Sequence, residues 1–346
     1  MPRRFLPLTL LLLLLLQATA AGGDATVFIY HHFGDSRYPS TNVAVERFRE
    51  QMSYLAANGY QVISLKELIG KLKNQAPLSP QTVVITIDDG YGSVYSKAWP
   101  ILKEFGYPFT VFLYVEGVEK GYKNYLTWEQ IKEMKDAGVD FQDHSYSHHH
   151  LVDRPEGFTE SQYRQWIRAD LASSVTIMRE KLGIRPGYFA LPYGEYDRLV
   201  IEEAKSMGYE AILTQDPGSV SNYTDVYRIP REPILGTDWA ELKHFKEVLQ
   251  RVDLPVVEMK PDIVPLTEMP ERFGARLVDA GRYERGSFGI YVSELGWQQA
   301  DLDGDFAFIT NSTPLTRSLN RVMVSAREKE SGRTAVHFWL LIKPKE

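Results

Sequence analysis

The stretch Thr86-Ile87-Asp88-Asp89-Gly90-Tyr91 decides how this chain is read, because it sets two adjacent carboxylates at the end of the apolar run Val83-Val84-Ile85-Thr86-Ile87. A buried strand has no use for two ionised groups at its end. Desolvating an unpaired carboxylate is costly and two neighbours repel, so a metal, a proton or a substrate must compensate. Gly90 permits a sharp turn, and Val94, Ala98, Ile101, Leu102 and Phe105 then recur at helical spacing over residues 93–105. The stretch reads as strand, acidic corner, helix. Taken alone, the dipeptide reads equally well as a helix cap, a common use of Asp.

Outward from this corner the chain alternates. Runs at 26–30, 61–64, 83–87, 109–114, 139–142, 188–191, 211–213 and 226–229 read as strands. Helical patterns at 43–57, 65–72, 93–105, 162–182 and 240–249, with others starting at Thr127 and Asp197, fall between them. Strands and helices in this order call for a parallel sheet, and seven or eight units over residues 24–252 suit a distorted (β/α) barrel. There is no Gly-rich phosphate loop after the first strand, which weakens a dinucleotide-binding alternative. Strand C-terminal ends in a barrel converge on one face, and His31, Asp88, Asp89, His144, Pro192-Tyr193, Asp216 and Arg231 all fall at such ends. From Pro255 the texture changes to Pro-punctuated segments with short strand candidates. Residues 255–346 are therefore predicted to form a β-sandwich of the immunoglobulin-like kind.

The ends of the chain and its composition bound the rest. Met1-Pro2-Arg3-Arg4 is basic, residues 6–16 are almost wholly apolar, and Ala18-Thr19-Ala20 offers small residues for cleavage. Residues 1–20 read as a secretory signal peptide, so the protein is expected to be periplasmic or secreted, with no stable membrane span after cleavage. The formal charge of −6, more negative once Arg3 and Arg4 leave, argues against a nucleic-acid binder. With no Cys in the chain, no disulfide is available, and a metal site must be built from His and carboxylates. The oligomeric state is not legible.

A second constellation, Asp143-His144-Ser145-Tyr146-Ser147-His148-His149-His150, follows the strand at 139–142. Imidazoles at His144 and His148, four positions apart on a turn of backbone, can face one cation. With Asp89 they make a two-His, one-carboxylate set that leaves positions open for water and substrate. His149 is the nearest alternative ligand.

Here the sequence resembles the polysaccharide deacetylases of the NodB-homology type, carbohydrate esterase family 4. Their Thr-Phe-Asp-Asp-Gly motif appears as Thr86-Ile87-Asp88-Asp89-Gly90, and their His-Ser/Thr-x-x-His motif stands intact as His144-Ser145-Tyr146-Ser147-His148. Of their Arg-x-Pro-Tyr/Phe-Gly run, Pro192-Tyr193-Gly194 remains, with Ala190 where Arg is expected. The resemblance implies a metal-dependent hydrolase of linear amides that removes N-acetyl groups from a polysaccharide such as poly-N-acetylglucosamine. It assigns Asp88 as general base, Asp89, His144 and His148 as ligands of one divalent ion (zinc, or cobalt, nickel or iron), and the Tyr193 amide as oxyanion donor. Arg231 is the candidate to replace the missing guanidinium; a surface ion pair is its other reading. Tyr30-His31 at the end of the first strand resembles the permuted poly-N-acetylglucosamine deacetylase subgroup and makes His31, with His32 as the alternative, the general acid. Peptidoglycan or O-acetyl deacetylation and non-catalytic carbohydrate binding are the rival functions. The C-terminal module, which carries no candidate ligand, is expected to be dispensable for chemistry after truncation near Arg251.

Overall fold

In the computed structural model, which describes residues 23–343, every residue of Ala25–Tyr30 and Thr82–Ile87 is buried. This is the pattern of strands covered on both faces. The predicted signal peptide lies outside the described residues, and among the described residues no helix is long and apolar enough to cross a membrane.

The main sheet is parallel throughout. Its order is Glu232–Pro233, Ala25–Tyr30, Thr82–Ile87, Thr110–Leu113, Asp140–Asp143, Tyr188–Ala190 and Ala211–Leu213, with Gln61–Val62 paired beside the start of Thr82–Ile87. The strand expected at 226–229 is instead a turn at residues 226–227 followed by one bridging residue, Ile229, and this stretch closes the curl. Ile229 bridges Leu213 at one end of the sheet, and three residues later Glu232–Pro233 begins to pair with Ala25–Tyr30 at the other. The helices expected from periodicity are present, two of them opened by capping boxes at Thr127 and Thr159. The helix expected over 93–105 is divided: Val94–Ala98 winds wider than an α-helix and Trp99–Phe105 is α-helical, with Pro100 in its first turn.

Beyond Arg251 the chain builds two sheets. One runs Val252–Asp253, Thr334–Ile342, Leu319–Arg327, Gly289–Val292, Gly296–Gln299; the other runs Val256–Lys260, Arg272–Leu277, Phe306–Thr310, Asp301–Asp303. Phe273, Ala275, Ile290, Val322, Val324, Ala307 and Trp339 from both sheets share one core, as the sandwich reading requires. The module packs on the barrel. Leu340 and Ile342 pack among Phe189, Leu191, Tyr196 and Val200 of the barrel, and Arg333 donates to the carbonyls of Gln250 and Arg251. Truncation near Arg251 would strip this apolar cover from the barrel.

An acidic pair sits at this junction. The Asp253 amide donates to Asp24 Oδ1 at 3.2 Å and Ser221 Oγ donates to Asp253 Oδ2 at 2.5 Å. Burial pushes Asp253 up to about 7 and Asp24 up to about 6. The folded chain thus holds protons that the unfolded chain releases near the ordinary carboxylate value. The stability they contribute is complete below about pH 4 and is lost as pH rises through about 6–7. Thermal melts should therefore show Asp253→Asn with a flatter fall in Tm from about pH 5.5 to 8 than the parent chain. Parallel slopes would contradict this assignment.

Candidate active site

Parallel register brings the ends of Ala25–Tyr30, Thr82–Ile87, Asp140–Asp143 and Tyr188–Ala190 to one mouth of the barrel. The Asp88 amide donates to Tyr30 O at 2.9 Å, continuing the ladder one residue past the strand. Asp89 then takes a φ of 70° and Gly90 one of 78°, which turns the two neighbouring carboxylates in different directions. A Cβ at Gly90 would stand 2.8 Å from Leu113 Cδ2, so this corner needs glycine for space as well as for conformation.

Asp88 is fully buried and held in a fork: Arg231 Nη1 donates to Oδ1 at 2.7 Å and Nη2 to Oδ2 at 2.8 Å. Arg231 is itself fully buried, with Nε on the Thr214 carbonyl at 2.7 Å and Nη1 near Thr86 Oγ1 at 3.2 Å. It is a buried partner of Asp88, not a surface ion pair. Burial alone would raise the Asp88 pKa; the Arg231 charge, then His144, outweigh it and hold the carboxyl below its ordinary range. Asp88 is therefore ionised at neutral pH.

Asp89, His144 and His148 meet beside it. Asp89 Oδ1 lies 3.4 Å from His144 Nε2 and 3.2 Å from His148 Nε2, and the two Nε2 atoms are 3.2 Å apart. His144 Nδ1 is 2.7 Å from the Ala190 carbonyl, which requires Nδ1–H as donor and turns the Nε2 lone pair toward Asp89. Asp89 Oδ1 is buried without a hydrogen-bond donor. Two imidazole nitrogens and a carboxylate oxygen that converge so closely in a buried corner make a donor set suited to a cation. A tetrahedral ion with bonds of about 2.0–2.1 Å sets its ligands about 3.3 Å apart, so these side chains fit a zinc-sized ion. His149 does not join them; its ring stacks on Trp166.

The His144–His148 turn is held from beneath by groups the motif does not contain. Asp143 Oδ1 accepts from the Ser145 amide at 2.9 Å and from Ser174 Oγ at 2.5 Å, and Tyr209 donates to Oδ2. Asp170, on the helix Glu160–Leu182, accepts from the amides of Tyr146 at 3.1 Å and Ser147 at 3.0 Å. These bonds keep Ser145 and His148 at positive φ, 69° and 52°. Asp143 was visible next to His144 but not its role. Asp170 has no local sequence signal.

His31 and His32 part as strand alternation predicts. His32 is sandwiched between Tyr38 and Tyr91, ring centroids 4.2 and 3.5 Å away, and burial pushes it down to about 4. His31 is buried with Nδ1 unpartnered; burial lowers its pKa, and the charges of Asp89 and Asp88 oppose that without reversing it. The Tyr193 ring, 40% exposed, stacks on His150 at 3.8 Å and meets His148 at 4.6 Å. The Tyr193 backbone sits at φ 58° between Pro192, which has no N–H, and Gly194, whose amide donates to Leu191 O at 2.9 Å.

Residues 75–212 match the family model described as polysaccharide deacetylase. The chain is 29% identical over 249 residues to the poly-beta-1,6-N-acetyl-D-glucosamine N-deacetylase of Escherichia coli (strain K12), covering 62% of this chain and 36% of that protein. It thus spans about a third of that relative's length. The enzyme of the same name from Staphylococcus epidermidis is 26% identical over 202 residues, covering 57% of this chain and 70% of its own. Among solved structures, IcaB from Ammonifex degensii superposes with a TM-score of 0.56 at 27% identity, over 65% of this chain and 97% of that one. The Streptococcus pyogenes deacetylase PplD superposes with a TM-score of 0.57 at 23% identity, over 65% and 98%. Residues 75–212 thus match a polysaccharide deacetylase domain, and the barrel that contains them shares its fold with solved deacetylases.

Proposed function

We propose that this chain is an exported, metal-dependent hydrolase that removes N-acetyl groups from poly-β-1,6-N-acetyl-D-glucosamine or a closely related polymer. The observation that carries the reading is the meeting of Asp89, His144 and His148 beside the Arg231-paired Asp88 at the barrel mouth. The two poly-beta-1,6-N-acetyl-D-glucosamine N-deacetylases to which the chain is similar supply the substrate class. The signal peptide predicted at residues 1–20 supports export.

Asp89, His144 and His148 would hold one divalent ion, which when bound supplies an acidified water and polarises the acetyl oxygen. Asp88, kept ionised and aimed by Arg231, accepts the proton as water attacks the carbonyl carbon. The Tyr193 amide faces the oxyanion of the tetrahedral intermediate; such a donor contributes about 2.7–4 kcal/mol. As the C–N bond breaks, His31 delivers a proton to the departing amine. Because burial favours neutral His31 at rest, the proton it gives is one taken up from solvent after Asp88 has been neutralised by the proton from the attacking water.

His31→Ala should keep the ion and lose about 10²- to 10⁴-fold in kcat on an N-acetyl sugar. It should lose far less on 4-nitrophenyl acetate, whose leaving group needs no protonation, and His32→Ala should spare both. Equal losses of His31→Ala on the two substrates would remove it from the donor role. The function is tested by acetate release from a panel of poly-N-acetylglucosamine, chitooligosaccharides, peptidoglycan and acetylated xylan. The first should be preferred. Preference for peptidoglycan or for the acetyl ester would assign the corresponding rival, and no release from any would leave a binding protein.

A further inference from the structure

We infer that one face of the C-terminal sandwich extends the substrate groove, binding the polymer several sugars away from the reacting unit. The inference rests on the deacetylase reading and names a second part of its binding site. Register places Trp297, Tyr291, Met323 and Phe338 opposite one another across four adjacent strands, so their side chains form one row on one face. Arg321 and Leu340, a cross-strand pair two residues along, share that face. The row has two ends. At Thr334–Ile342 it docks on the barrel, where Leu340 and Ile342 enter the apolar cluster. At Gly296–Gln299 it emerges into solvent, Trp297 being 55% exposed, with Tyr291 and Met323 half-buried.

Arg321 joins this face to the catalytic mouth. Its Nη2 is 3.4 Å from the Tyr193 carbonyl and its Nε 3.7 Å from Asp216 Oδ1. Tyr193 in turn stacks on His150 and meets His148, one of the three metal-site side chains. Strand spacing puts Tyr291 and Trp297 about 5 and 10 Å beyond the Met323 row position, and Arg321 about 7 Å along the strand from it. That reach suits a few sugar units. The Trp297 indole lies against Gly289, where a Cβ would stand 2.3 Å from Nε1 and 2.5 Å from Cε2 and Cζ2. A glycine there lets the ring approach the sheet and offer its other side to solvent. A β-linked hexosamine carries its substituents equatorially and presents axial C–H groups as a flat apolar patch, which an exposed ring covers well.

The test uses the full chain, loaded with its divalent ion, on poly-β-1,6-N-acetyl-D-glucosamine and on its trimer, with acetate as readout. Trp297→Leu keeps an apolar cover over Gly289 but removes the flat ring. It should raise the ratio of polymer KM to trimer KM about tenfold, while Trp297→Phe restores most of the difference. An unchanged ratio would overturn the inference. If the parent chain releases acetate from neither substrate, the functional reading fails on its own. Affinity electrophoresis in gels containing the polymer then decides the surface: retardation lost in Trp297→Leu supports it, whereas equal mobility or no retardation refutes it.

Discussion

Asp88→Asn should bring acetate release down about 10²- to 10⁴-fold at saturating substrate while the chain still binds its divalent ion, because the substitution removes the proton acceptor and none of the three ligands. The structure adds a second effect. Asp88 and Arg231 are both fully buried and joined by two hydrogen bonds of 2.7 and 2.8 Å, so the amide leaves a guanidinium charge without its counter-ion. Breaking a buried pair on one side costs about 3–5 kcal/mol, and the variant should melt well below the parent. The double variant Asp88→Asn with Arg231→Met removes both charges and should recover part of the stability with none of the activity. Turnover near the parent level in Asp88→Asn would show that the carboxylate serves the fold alone.

The second large effect is on metal content. His144→Ala and His148→Ala should each lower bound metal and activity together, by more than the roughly 10- to 100-fold typical of outer partners of a metal site. His144 should also cost stability, since it is fully buried and tied to the Ala190 carbonyl, whereas His148 lies nearer the surface. His149→Ala, with its ring on Trp166, should change neither. Elemental analysis of the dialysed variants is the measurement, and a full complement of metal in both His variants would contradict the site.

Much of the mouth was legible because its parts are local. Asp88 and Asp89 sit at a strand end, His144 and His148 four residues apart, and parallel register does the rest. What escaped depends on partners far along the chain. Arg231 reads equally as a surface ion pair or as the guanidinium missing at Ala190; only closure of the sheet through Ile229 and Glu232–Pro233 carries it beneath Asp88. Strand alternation separates His31 from His32, but the Tyr38 and Tyr91 rings that occupy His32 come from two other segments. Asp170 is one acidic residue on a long amphipathic helix, indistinguishable there from a solvated charge. The sandwich shows the same limit. Its longest strands were visible, while Val256–Lys260, Gly296–Gln299 and Asp301–Asp303 mix exposed and half-buried residues and gave no apolar run to detect. Its docking on the barrel through Leu340 and Ile342 has no sequence signature at all.

The most direct test of the central claim, that Asp88, Asp89, His144 and His148 form a metal-dependent deacetylase centre, is acetate release from poly-β-1,6-N-acetyl-D-glucosamine through a chelation cycle. The parent chain should release acetate, lose that activity on removal of divalent ions by a chelator, and regain it on addition of one equivalent of zinc or a similar ion. Activity that survives complete removal of metal would contradict the account.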